Sequence, residues 1–232
     1  MVVATRQGLI CSPIADVIDQ RLVLDMPFGE GKGTFTKDLS GKGNHGTLKG
    51  GVSWKLLPSG IWVLSFDGST GYTAIPSFTV PADYLTIEVW ILPAVDFQAD
   101  ATKWYFAECI NSGGCNFLYN NTGKIHCNWR AGNAWVGPVE YTTTLVKDTW
   151  YHIVYRLNGV SDAKIFVNGD EKASVSPNTA VGSITHELVI GATNTYGNKM
   201  NGLIALPRIY NRALSAGEIK NRYNQTKHLF GK

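Results

Sequence analysis

Hydrophobic and polar positions alternate with a period of two along most of this chain. In residues 84–91, YLTIEVWI, Leu85, Ile87, Val89 and Ile91 fall on one side while Thr86, Glu88 and Trp90 fall on the other. That spacing predicts a strand with one face in a core. Tyr151, Ile153, Tyr155 and Leu157 repeat the pattern. Residues 164–167 run into Asn168-Gly169, a pair suited to the positive φ angles of a two-residue hairpin turn, with a short return strand through Lys172 and Ala173. Further strands are predicted over 21–26, 61–66, 72–75, 103–110, 115–120, 124–129, 187–191 and 201–210, separated by clusters of Gly, Asn, Asp, Ser and Pro. So many strands at short spacing predict an all-β sandwich or barrel.

Only the tail changes period. Ser215-Ala-Gly-Glu218 has the form of a capping box, and Ile219, Tyr223 and Phe230 follow at helical spacing. A short C-terminal helix should therefore pack on the sandwich, with Lys220, Arg222, Lys227 and His228 on its solvated face. Residues 1–20 read as an N-terminal extension or docking arm, and 21–232 as one domain.

Composition narrows the function classes. The 232 residues are 44% hydrophobic and 17% charged, enough apolar material for a core and too little charge for a disordered chain. The formal charge of +3 is spread along the sequence, which argues against a nucleic-acid partner. No segment approaches the ~20 apolar residues of a membrane span, so no membrane insertion is expected. The first twenty residues show no signal peptide: a basic head, apolar core and small-residue cleavage site are all missing. Cys11, Cys109, Cys115 and Cys127 are an even set without zinc-site spacing, open either to a disulfide or to buried free thiols.

The ordered segments DLSGKGNHG, LSFDGSTGYTAIP, LTIEVWILP, TWYHIVYRLNG with AKIFVNGD, LVIGA and GLIALPRIYNRALSAGEI resemble the LamG-like jelly-roll domain of the concanavalin A-like lectin/glucanase superfamily. The likeness runs over about residues 21–225. It implies a jelly-roll sandwich of two antiparallel sheets, six or seven strands each, with a short C-terminal helix. It also implies a non-catalytic binding module for carbohydrate or cell-surface recognition and adhesion, extracellular or at a virion surface. The partners implied are a glycan, a surface glycoprotein, or other virion or surface proteins. The alternative is a structural virion or phage component using the fold for assembly.

Three chemistries can be weighed against the residues. Glucanases of the superfamily carry carboxylates at a spacing of two on one strand, whereas Glu88 and Glu108 stand singly here and no G-x-S-x-G segment occurs. An enzyme, including a glycoside hydrolase, is therefore not expected. For calcium, the resemblance implies a cage that joins the first loop to the last strand. Asp38, Asn44 and His45 match its first part, and Ala205 and Leu206 replace the later acidic pair. The other reading of this loop is a turn in which Asp38 and Ser40 bond the backbone and Gly41, Gly43 and Gly46 take positive φ. For glycans, exposed aromatic faces flanked by amide and guanidinium groups are needed. Trp129, Arg130, Asn133 and Trp135 in one strand-loop unit, with Asn194 and Tyr196 in a second loop, are the candidates. Trp62, Trp90 and Trp150 are assigned to core or inter-sheet packing, a reading that stays open for Trp129 as well.

Overall fold

The computed structural model describes residues 19–81, 83–96, 104–110, 114–131, 134–179, 182–193 and 195–232. The arm expected over 1–20 therefore falls almost wholly outside the described residues. The early strands are β1 (Leu22–Asp25), β2 (Phe35–Thr36), β3 (Gly46–Lys49), β4 (Val52–Leu56), β5 (Trp62–Asp67), β6 (Tyr72–Val80) and β7 (Tyr84–Pro93). There follow β8 (Trp104–Ile110), β9 (Gly114–Tyr119), β10 (Lys124–Ala131), β11 (Ala134–Thr142) and β12 (Tyr151–Asn158). The chain ends with β13 (Asp162–Val167), β14 (Asp170–Val175), β15 (Ile184–Ile190), β16 (Asn201–Tyr210), helix α1 (Ala216–Thr226) and a 3-10 turn (Lys227–Phe230).

These strands form two antiparallel sheets of eight. The first has the order β14-β13-β12-β7-β16-β5-β4, with β1 also paired to β16, and the second has the order β11-β10-β9-β8-β15-β6-β3-β2. The expected six or seven strands per sheet are exceeded because β2, β3, β4 and β11 were not predicted; β6 also runs on to Val80. All four lack a clear signal: β2 to β4 are short and Gly-flanked, and β11 contains Gly137-Pro138, which reads as a turn. β11 is an edge strand with a bulge opposite Cys127 to Trp129, the setting in which a sheet accepts proline. Asn168 and Gly169 take φ of 54° and 80°, the hairpin turn expected between β13 and β14.

Between the sheets lies the main core. Leu85, Ile87, Val89 and Ile91 of β7 meet Cys115, Phe117, Ile125, Cys127 and Trp129 from the second sheet there. Cys115 and Cys127 are free buried thiols; burial pushes the Cys127 thiol up, and Cys115 adds to the shift. Cys11 and the Cys109 side chain lie outside the described residues.

The outer face of the first sheet is also buried, under the C-terminal segment. Trp90, Trp150, Leu203, Ala205 and Leu206 pack with Phe230, while Val154, Phe166 and Tyr210 pack with Leu214 and Ile219. Ser215 caps α1 with the expected reciprocal bonds to Glu218. One residue of its predicted solvated face turns inward instead: Arg222 reaches Glu88 on β7. Among the described residues no helix is long and apolar enough to cross a membrane.

Candidate functional site

Asp38 organises the first glycine-rich loop. Its Oδ1 accepts the Asp25 and Ser40 N–H groups, each at 2.9 Å, and its Oδ2 accepts the Asn44 N–H at 2.9 Å and the Ser40 hydroxyl at 2.7 Å. The Asp38 N–H donates to His45 Nδ1 at 3.1 Å, and the Asn44 amide donates to the Val23 carbonyl at 2.7 Å. A calcium ion needs oxygens turned toward it, yet both Asp38 oxygens face N–H and O–H donors, and Ala205 and Leu206 lie in an apolar cluster. The residues present do not fit the ion. Among the described residues no three His, Cys, Asp or Glu side chains are grouped to hold a metal. Gly41 and Gly43 take the expected positive φ. Gly46 does not; it opens β3, where an added Cβ would lie 2.9 Å from a Thr73 methyl.

The aromatic candidates separate by strand parity. Trp129 points into the core with 0% exposure, its ring stacked toward Tyr155 at 6.4 Å. An added Cβ at Gly137 would lie 2.8 Å from it. The expectation of a sugar platform at Trp129 is therefore corrected: alternation places it on the inner face of β10, and it has no face left for a ligand. Arg130 is one residue on and faces outward. It is paired across the hairpin with Trp135, which is 48% exposed, and its guanidinium sits 4.6 Å from the Trp135 ring centre. Asn133 lies outside the described residues.

Tyr196, 44% exposed, stacks on Tyr72 at 4.6 Å and donates its hydroxyl to Glu187 at 2.8 Å. That hydrogen bond pushes its phenol above the usual range. Asn194 lies outside the described residues. The Tyr196 loop follows β15, which runs antiparallel to β8, so it leaves the sheet at the end opposite the β10–β11 hairpin. The two predicted loops therefore form no single pocket. They rim the same outer face of the second sheet from opposite ends, because Tyr72, Glu187 and Arg130 all alternate with core residues.

Asp67 was not among the predicted site residues. Its carboxylate accepts the N–H groups of Ser69, Thr70 and Gly71 and the hydroxyls of Ser69 and Thr70. Burial pushes the carboxyl up, but these bonds, led by the Thr70 hydroxyl, hold it well below the usual range. The turn thereby fixes the start of β6, and Tyr72 with it. The segment Asp-Gly-Ser-Thr-Gly is the sequence signal for such a turn.

A family model for the concanavalin A-like lectin/glucanases superfamily, Laminin_G_3, matches residues 67–220. The chain belongs to this superfamily. A search of the curated proteins finds no match. Among solved structures, the binding domain of Paraclostridial Mosquitocidal Protein 1 is similar at a TM-score of 0.74 and 16% identity, over 93% of this chain and 56% of that one. The receptor binding domain of botulinum neurotoxin D gives 0.69 and 16%, over 90% and 54%. Domain 4 of AbnA, a GH43 extracellular arabinanase from Geobacillus stearothermophilus solved with arabinotriose, gives 0.69 and 18%, over 87% and 97%. The chain spans about half the length of the toxin binding domains. These likenesses show the fold.

In this member of the superfamily the strand carboxylates sit in two different settings. Glu88 is buried under α1, between His152 and Arg222, and faces away from both rim loops. Glu108 lies on the outer face of the second sheet opposite Val189 of β15. Glu187 shares that face one strand away, so Glu108 is less isolated than its sequence context suggests.

Proposed function

We propose that the chain is a non-catalytic binding module that takes a glycan, free or on a surface glycoprotein, against the outer face of its second sheet. The observation that carries this reading is Trp135. A half-exposed indole at a hairpin tip, held by a guanidinium 4.6 Å from its centre, offers the flat apolar face that sugar C–H groups stack on, with donors beside it for hydroxyls. Membership of the superfamily and the fold shared with an arabinanase domain solved with arabinotriose support the reading. Such a ligand places the module outside the cell or on a virion surface.

One observation favours a hydrolase instead. Glu108 and Glu187 are diagonal neighbours on one face of adjacent strands, and a pair of carboxyls on one face is what a glycosidase uses. Against it, Glu187 is engaged by the Tyr196 hydroxyl.

A glycan array run in calcium and in EDTA tests the binding reading. Saturable binding that is lost in Trp135→Ala and equal in both buffers is the expected result. No binding in either buffer overturns it and favours an assembly component, such as a virion protein.

A further inference from the structure

Two cysteines stand opposite each other in the hairpin formed by β8 and β9. Cys109 is the direct cross-strand partner of Cys115, one step inside the Ile110–Gly114 pair, and the register between the strands is unbroken from there to the bulge at Tyr105 and Ala107. Residues paired directly in an antiparallel ladder share a face and lie about 4.5–5.5 Å apart at Cα, inside the window of roughly 4.4–6.8 Å that a disulfide spans. Cys115 belongs to the core between the sheets and is 5% exposed. Position 109 therefore shares that inner face, and the next pair, Glu108 with Asn116, takes the outer one. Cys127 of β10 is the other candidate partner for Cys115. Its ladder partner is Phe117, while Cys115 is paired with Trp129, which sets the two cysteines on a diagonal. Diagonal positions are about 7–8 Å apart, outside the window.

A small apolar cavity adjoins the pair. Cys115 lines it together with Ala107 of β8, Leu188 of β15 and Ile209 of β16, and it leaves about 10 Å³ open to a water-sized sphere. Sulfur atoms can adjust into that space without displacing packed side chains. We propose that Cys109 and Cys115 form a structural disulfide that closes the β8–β9 hairpin when the chain folds in an oxidising compartment. This goes beyond the binding reading and is independent of the ligand. The oxidant is a small-molecule disulfide such as oxidised glutathione. One cysteine thiolate attacks it, forming a mixed disulfide and expelling one glutathione thiolate. The second cysteine thiolate then attacks the protein-side sulfur, forming the Cys109–Cys115 bond and expelling the other glutathione. Two protein thiols are oxidised, one glutathione disulfide is reduced, and the two protons lost by the cysteines pass to the two glutathione thiolates. The exchange belongs to folding, because Cys115 is covered in the finished sandwich. In the folded chain Cys127 does not exchange onto the bridge: it is fully buried, and burial pushes its thiol up, away from the thiolate that exchange requires.

The test refolds the full chain from denaturant in a glutathione redox buffer and, separately, in reductant. Thiols are then alkylated under denaturing conditions and the protein is digested with trypsin. Cleavage after Lys103 and Lys124 puts Cys109 and Cys115 in one fragment, 104–124, and cleavage after Arg130 puts Cys127 in the next, 125–130. After oxidative refolding, fragment 104–124 should be unalkylated and lighter by two hydrogens than its dithiol form, with Cys127 alkylated. Closing the ring of residues 109–115 should raise Tm by roughly 4–8 °C over the protein refolded in reductant. Cys109→Ala should melt at one temperature in both preparations. Alkylation of both Cys109 and Cys115 after oxidative refolding would overturn the proposal. So would fragment 104–124 cross-linked to 125–130 or to the fragment that carries Cys11. A bridge that forms yet leaves Tm unchanged or lower would show that these positions do not accommodate it, and would overturn its structural role.

Discussion

Arg222 of helix α1 is ion-paired to Glu88 of the central strand β7, through a face of the sandwich that has no contact with the core between the sheets. His152 Nε2 stands 3.1 Å from the same carboxylate. Glu88 is thus a structural charge that anchors the C-terminal helix. Removing one partner of a buried pair leaves the other uncompensated, at a cost of about 3–5 kcal/mol. Arg222→Met should approach that loss, and Glu88→Gln with Arg222→Met should recover much of it. Urea unfolding measures both. A single variant as stable as wild type would show that the pair contributes nothing.

The same carboxylate gives the protein an acid-sensitive term. Burial alone pushes the Glu88 carboxyl up, but the Arg222 charge, the His152 hydrogen bond and the more distant Arg208 together hold it well below the usual range. A depressed folded-state value means the unfolded chain binds the proton more readily. Stability from Glu88 is therefore complete above the unfolded value of about 4.3 and is lost as pH falls below it. Other carboxylates contribute to acid unfolding as well, so the informative quantity is a difference. The urea midpoint of Glu88→Gln should fall less between pH 6 and pH 3 than that of wild type. Parallel curves would refute the assignment.

Asp38 makes four accepted hydrogen bonds that close the first loop onto β1. Asp38→Ala leaves three N–H groups without that acceptor and should cost about 2–4 kcal/mol, at roughly 1 kcal/mol for each bond lost. The loss should be the same in calcium and in EDTA. A Tm difference between wild type and variant that appears only with calcium would restore an ion to this loop.

Strand alternation made the two-sheet core readable from residues such as Leu85 to Ile91, because a period of two is a local property. The C-terminal helix was readable for the same reason, through Ser215 and Glu218. What alternation could not give was the second covered face. Thr86, Glu88 and Trp90 follow the pattern of a solvent side, and only the return of residues 211–232 over the sheet buries them. Arg222 looks like a surface cation until Glu88, 134 positions away in sequence, is placed beneath it. At the candidate site the types of residue were legible but their grouping was not. Trp129 and Trp135 are close in sequence, yet the hairpin and its bulge put one in the core and the other at the rim.

That division between Trp129 and Trp135 is directly measurable. Trp129→Ala removes a fully buried indole and should cost about 3–5 kcal/mol. Trp135→Ala removes a half-exposed ring and should change stability by about 1 kcal/mol or less, mainly the lost guanidinium contact. Binding should respond the other way, with Trp135→Ala losing affinity although its fold is intact. A Trp135 variant as unstable as the Trp129 variant would make its ring a packing element and remove it from the site.

The pair Glu108 and Glu187 decides between holding a glycan and cleaving it. Glycosidases need one carboxyl protonated as the acid and the other ionised as base or nucleophile, with environments that push the two apart. Glu187 accepts a hydrogen bond from the Tyr196 hydroxyl, which ties it to the rim loop and occupies one of its oxygens. Prolonged incubation with the best-bound oligosaccharide should therefore release no reducing ends from pH 4 to pH 8. Glu187→Gln should leave affinity within a few-fold of wild type, since it keeps an acceptor for the Tyr196 hydroxyl. Reducing ends that accumulate with wild type and vanish in both Glu108→Gln and Glu187→Gln would make the outer face an active site.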